Sequence, residues 1–278
     1  MKKFVSILLA LCMILSLAPA AFAASVKGDV DGDGKVTSSD ALVVLQYAVG
    51  QKKTIDKTKA DLNGDGLINS GDALIILQIC VGIIFVAPTT TADIVKTYNT
   101  ALKNAYYKEN LTVDCTRYDK GKIENLTKKT SENFNDDYSK KRVFKNGKSV
   151  PGDLDADFVL PGCNIDVKGV ASAKCSETAD GYKLVITLKP ETTDVFEYPV
   201  YNRAAFEFAY VSNAEMTIKS GTSKYTGTVF TLILDKNGNA KSVETSMPYV
   251  VDYVAVIGGK TCTMRDTGEG YFNGKLIY

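Results

Sequence analysis

The apolar residues of this chain follow two rhythms. In residues 41–50 and again in 73–82 they recur at the three-to-four-residue period of a helix, and each stretch ends on a glycine suited to a C-cap, Gly50 and Gly82. A third helical stretch follows after residue 91, where Ile94, Val95, Tyr98, Ala101, Leu102, Ala105 and Tyr106 fall on one face. Residues 111–118 read as a strand. Ile123, Leu126, Thr127, Thr130 and Phe134 suggest a second, weaker helix. From about Cys163 onward the period drops to two, with Tyr182, Leu184, Ile186 and Leu188 alternating along one face. The 178–181 segment before them reads as a hairpin turn, and 236–239 and 257–260 punctuate strands over 224–235, 240–256 and onward to Tyr278. Pro248 inside one of these runs predicts a bulge or a sheet edge. The expected fold class is α+β: a small all-α module, then a domain of one or two helices on a curved antiparallel β-meander sheet.

The first two helices are copies of one another, 32 residues apart, and each is preceded by a copied loop. One loop runs Asp29-Val30-Asp31-Gly32-Asp33-Gly34-Lys35-Val36-Thr37-Ser38-Ser39-Asp40. Its counterpart runs Asp61-Leu62-Asn63-Gly64-Asp65-Gly66-Leu67-Ile68-Asn69-Ser70-Gly71-Asp72. Both obey the EF-hand loop pattern, in which side-chain oxygens at positions 1, 3, 5 and 12 and the carbonyl at 7 surround a calcium ion, with a glycine at position 6 for the sharp turn. Seven of the eight acids between Val26 and Phe85 fall on such positions, only Asp56 lying elsewhere. Carboxylates crowded in this way repel unless a cation sits among them. Position 12 is Asp rather than Glu in both copies, which shortens its reach. Val36 and Ile68 at position 8 are expected to pair the loops through a short β-bridge.

Each helix carries two apolar stripes, Leu42, Leu45 and Val49 beside Val43, Val44 and Tyr47, and correspondingly Leu74, Leu77 and Val81 beside Ile75, Ile76 and Ile79. A module of about 60 residues can bury only part of this surface, and the remainder marks a protein partner. No helix has room to precede the first loop once a leader is removed. Loop-then-helix, written twice, resembles the type I dockerin family over residues 26–85. The resemblance implies a module that binds two calcium ions and docks onto a cohesin domain of a scaffolding protein in a cellulosome-like complex. It places Asp29, Asp31, Asp33, Asp40 and the Lys35 carbonyl around the first ion, and Asp61, Asn63, Asp65, Asp72 and the Leu67 carbonyl around the second. Partner contacts are implied at Ser38, Ser39, Leu45 and Gln46 and at Ser70, Gly71, Leu77 and Gln78. The chain has Leu-Gln where family members often carry basic residues, which bears on the class of cohesin.

Lys2, Lys3, the apolar run over 4–18 and Ala21-Phe22-Ala23 read as a cleaved secretory leader, residues 1–23. The domain plan is then the calcium module at 24–86, a linker at 87–91 and an α+β domain at 92–278, secreted to the extracellular space or a cell-surface complex, with no membrane insertion after cleavage. A net charge of +1 offers nothing to nucleic acid. The chain has no His and no Trp, so imidazole-based catalysis and imidazole zinc sites are excluded. After the leader five cysteines remain, Cys80, Cys115, Cys163, Cys175 and Cys262; Cys163–Cys175 and Cys115–Cys262 bridges and reduced thiols are both open. Asp153, Asp155, Asp157, Glu191, Glu197 and Glu207 form no recognisable carboxylate pair, and Tyr198, Tyr201, Phe206, Phe208 and Tyr210 read as core and hairpin contacts before a sugar platform. The functional expectation is a cellulosome-like component working on polysaccharide. The alternative is a His-free, carboxylate-based glycoside hydrolase in 92–278.

Overall fold

A computed structural model of the chain describes residues 26–150, 160–205 and 216–278. The leader at 1–23, Asp153, Asp155, Asp157, Phe206, Glu207, Phe208 and Tyr210 lie outside them. The described residues divide into two compact units, one up to Ile84 and one from Phe85 onward.

In the first unit, helix α1 spans Ser38–Ala48, a single turn α2 spans Lys57–Ala60, and α3 spans Ser70–Cys80. The two long helices are built alike because their ends are written alike. Thr37 and Asn69 cap their N-termini and, with Asp40 and Asp72, close a capping box in each. Gly50 and Gly82 sit at positive φ just past the C-termini, where the amides of Gln51 and Ile83 bond back to the carbonyls of Gln46 and Gln78. The core is small: Ala41, Val44, Ala60, Ala73 and Ile76, with Val30, Val36, Ile55, Leu62 and Ile68 packed around it. Val36 and Ile68 form no β-bridge; they serve as partly buried packing residues instead.

The second unit opens with α4 (Thr91–Tyr106), capped by Thr90, whose buried residues are Ile94, Val95, Tyr98, Ala101, Leu102 and Ala105. Strands β1 (Leu111–Asn125), β2 (Thr130–Asp137), β3 (Lys140–Lys145), β4 (Lys148–Ser149), β5 (Val170–Thr178), β6 (Gly181–Leu188), β7 (Glu191–Asp194), β8 (Met216–Tyr225), β9 (Val229–Asp235), β10 (Ala240–Ile257) and β11 (Lys260–Ile277) form one sheet among the described residues, antiparallel at every pairing. Its main path runs β4-β3-β1-β11-β10-β9-β6-β5. This is not a simple meander. The first and last strands pair along their length, Thr112 with Ile277 through Asn125 with Met264, and β6 pairs β9 across two intervening strands.

Three further expectations are corrected. The weaker helix expected around Ile123–Phe134 is the β1–β2 hairpin. Its three-to-four spacing was an accident of a tight turn, where Asn125 accepts from the Lys128 amide and Lys129 takes a positive φ. The run 224–235 is two strands, β8 ending at Tyr225 and β9 starting at Val229. Pro248 marks neither a bulge nor an outer edge. Its strand pairs β11 without interruption on one side, while on the other side its partner changes from β9, up to Ser246, to β8, from Tyr249. The Pro248 carbonyl accepts from Thr226 at that junction, so the missing N–H faces the gap where no ladder bond is due.

The five cysteines of the described residues are free thiols. The Cys115 S–H donates a hydrogen bond to the Lys140 carbonyl, and burial pushes the Cys163 thiol up to about 12.

Candidate metal centre and docking surface

The first loop is organised by its own carboxylates. Asp40 is fully buried and gathers three backbone amides: Val30 and Asp31 donate to Oδ1 at 2.7 and 3.0 Å, and Thr37 to Oδ2 at 2.8 Å. Position 12 therefore fastens the start of the loop to the start of the helix, which explains the tolerance of Asp there: the shorter acid also fits the capping box. Asp29 Oδ1 accepts from the Gly32 amide at 2.9 Å. Carboxylate oxygens of Asp29, Asp31 and Asp40 all lie within 4.8 Å of one another, the one such group of His, Cys, Asp or Glu among the described residues. Asp33 lies outside that group and accepts from the Lys35 amide.

The second loop repeats the scheme. Asp72, also fully buried, accepts from Leu62, Asn63 and Asn69 at 2.9, 3.4 and 3.0 Å. Asp61 accepts from Gly64 and Gly66, and Asp65 from Leu67. Asn63 replaces one carboxylate and donates to Asp65 at 2.8 Å. Gly34 and Gly66 adopt φ of 86° and 82°, with nothing within 4 Å of where a Cβ would stand, so backbone conformation alone selects glycine. Both loops offer only hard oxygen donors, the set a calcium ion selects.

Beyond each loop the two stripes separate cleanly. Val44 and Ile76 are fully buried, while Leu42, Leu45 and Val49 are 55, 38 and 70% exposed, and Leu74, Leu77 and Val81 are 55, 40 and 71% exposed. Six large aliphatics are thus left in water, four on two helices of 11 residues each and two, Val49 and Val81, at their C-caps, a contiguous display unlike singly scattered surface apolar residues. Ser38, Ser39 and Ser70 are exposed, and Gly71, Gln46 and Gln78 are half-buried near them in sequence.

In the second unit, Glu191 is no catalytic acid in waiting. It accepts from the amides of Val200, Tyr201 and Asn202 and from the Asn202 side chain, and these bonds outweigh burial and hold its carboxyl below the usual range. Glu197 and Tyr198 are exposed. Sequence reasoning missed a different group. Asp119 of β1 accepts from Tyr249 at 2.8 Å, and Asp266 of β11 from Tyr253 at 3.3 Å. Burial raises both carboxyls, and that of Asp266, helped by the nearby charge of Asp119, reaches about 7. The signal was an acid on the inward phase of two alternating strands: Asp266 is 4% exposed between Met264 and Gly268, which face the same way. Gly268 leaves the space that Tyr249 needs, since a Cβ there would stand 2.6 Å from the tyrosine oxygen. A cleft of about 370 Å³ beside α4, edged by Asn104, Lys108, Asn239 and Tyr278, contains no acid.

Among the described residues no helix is long and apolar enough to cross a membrane. Residues 27–78 match the family model of the dockerin type I domain. No curated protein and no solved structure matches the chain. The matched segment carries both loops and the exposed stripes as far as Leu77.

Proposed function

We propose that this chain is a docking component of a secreted, cellulosome-type assembly, held to a cohesin domain of a scaffolding protein by its first unit. The observation that carries the reading is the coincidence of the dockerin match at 27–78 with the exposed stripes of Leu42, Leu45, Val49, Leu74 and Leu77, which Val81 continues just beyond it. Two calcium ions would be held by Asp29, Asp31, Asp33, Asp40 and the Lys35 carbonyl, and by Asp61, Asn63, Asp65, Asp72 and the Leu67 carbonyl. Bound calcium supplies the positive charge that lets these carboxylates share one small volume. The loops then fix the first turns of α1 and α3 through Asp40 and Asp72, and the helices present Leu45, Gln46, Leu77 and Gln78 with the serines Ser38, Ser39 and Ser70. Because both repeats are built alike, either one can face the partner.

The second unit is read as the cargo of this anchor, in a polysaccharide-degrading setting. The hydrolase alternative needs two accessible carboxylates. The inward pair found among the described residues, Asp119 and Asp266, is bonded to tyrosine hydroxyls, which favours a structural role.

Scaffold fragments bearing cohesin domains should capture the full chain in calcium and release it in EDTA, and Asp29→Ala combined with Asp61→Ala should abolish capture. Undiminished capture by the double variant would refute the mechanism. Release of soluble sugar from plant fibre by the same full chain would instead establish the hydrolase alternative.

A further inference from the structure

The two loops are copies, but their surroundings are not. Lys59, on α2 just before the second loop, reaches back to the first: its Nζ lies 3.3 Å from Oδ2 of Asp29, the acid at loop position 1. The pair is sheltered, the two side chains being 20 and 7% exposed, so it is screened far less than a surface ion pair. The same residue's backbone carbonyl accepts from the Gly28 amide at 3.0 Å, which anchors the reach at its base. Its counterpart in the repeat is Lys27, which also crosses to the other loop but meets a neutral group, the Leu62 carbonyl, at 3.4 Å. The lysines keep the pseudo-symmetry, and only one of them ends on a carboxylate.

The difference matches the one difference in ligand charge. The first loop carries four acids, Asp29, Asp31, Asp33 and Asp40, while the second carries three, Asp61, Asp65 and Asp72, with Asn63 in place of the fourth. Adding the Lys59 ammonium brings the first loop to the same local charge as the second. We propose that Lys59 is a built-in attenuator of the first calcium site: it places a fixed positive charge on the loop's opening carboxylate and levels the affinities of the two loops. A cation a few ångströms from a divalent ion opposes it, and this repulsion is strong where solvent is partly excluded.

The inference rests on the calcium reading above, and the test separates the two. The full chain, isotopically labelled, is titrated with calcium alone while the amide signals of Gly34 and Gly66 report their own loops. In the unmodified chain the two midpoints should agree within about threefold. In Lys59→Met the Gly34 midpoint should fall to about one-tenth of its original value while that of Gly66 changes by less than about twofold, and Lys59→Arg should behave as the unmodified chain. Lys59→Gln, which keeps a polar tip, gives the same reading if the methionine variant does not fold. An unchanged or weakened first loop in the uncharged variants, equal tightening of both loops, or an unmodified first loop already more than about tenfold tighter than the second overturns the proposal. Absence of any calcium-dependent signal in the unmodified chain overturns the calcium reading instead.

Discussion

Asp40 and Asp72 carry two duties with one carboxyl each. Their oxygens are ligand candidates, and they also close the loop onto the helix through three amides apiece. Removing such an acceptor leaves partly buried N–H groups without these partners, at a cost of about 1 kcal/mol or somewhat more. Asp40→Ala should therefore lower the melting temperature of the calcium-loaded protein more than Asp31→Ala does, because Asp31 accepts only one loop amide, that of Asp33. Equal losses by differential scanning calorimetry would show that ligation, not loop closure, dominates. Gly34 tests the backbone separately. At φ 86° with open space around it, an alanine costs about 1–2 kcal/mol of left-handed strain and nothing in sterics. Gly34→Ala should weaken calcium binding at the first loop by about tenfold, and Gly34→Asn by less, since asparagine enters that region more readily. A calcium titration that ranks the alanine variant equal to the unmodified chain would contradict this.

At the scale of elements, α1 and α3 show one face to a ten-residue core and another to water. Leu45→Glu with Leu77→Glu should leave the helices intact by circular dichroism and abolish capture by a cohesin-bearing fragment, since both side chains are about 40% exposed. Val44→Ala should do the reverse, destabilising by about 1–3 kcal/mol and leaving the docking face unaltered. These helices, their caps and both loops were legible in the sequence because every signal there is local: a capping residue, a ligand spacing, a glycine past the end. The sheet was legible only in part. The alternation of Tyr182, Leu184, Ile186 and Leu188 announced a strand, but nothing local tells Thr112 that its partner is Ile277, because that pairing is set by the whole sheet. The β1–β2 turn misled for a related reason, since five residues at helical spacing cannot outweigh a long antiparallel ladder. Asp119 and Asp266 escaped notice because they become neighbours only through that same pairing of the first and last strands.

The two units rest on different physics. The first has few buried side chains and two loops of mutually repelling acids, so metal binding is expected to contribute to its folding; the second has a core that runs from α4 to β11 and no comparable acid cluster among its described residues. Chelation should therefore remove the helical ellipticity of α1 and α3 while that of α4 and the sheet signal survive, and a full chain whose circular dichroism is unchanged by EDTA would refute this division. The second unit has its own sensitivity, to pH. Asp266 is held by burial and by Asp119 at about 7 rather than 3.8. Between about pH 4 and 7 the folded unit keeps a proton that the unfolded chain has released, so the folded state binds more protons and stability falls as pH rises through that window, then levels off. Arg265 does not relieve this charge: it alternates to the other side of the strand and is paired with Asp252 at 2.6 Å. Asp266→Asn should flatten most of the slope, the raised carboxyl of Asp119 leaving the remainder. The variant should match the unmodified chain near pH 4 and exceed it by about 1–2 kcal/mol above pH 7, after allowing for solvent screening. Chemical denaturation of the second unit in EDTA across that range measures the difference, and a gap that does not widen with pH would mean that Asp266 is already ionised in the folded sheet.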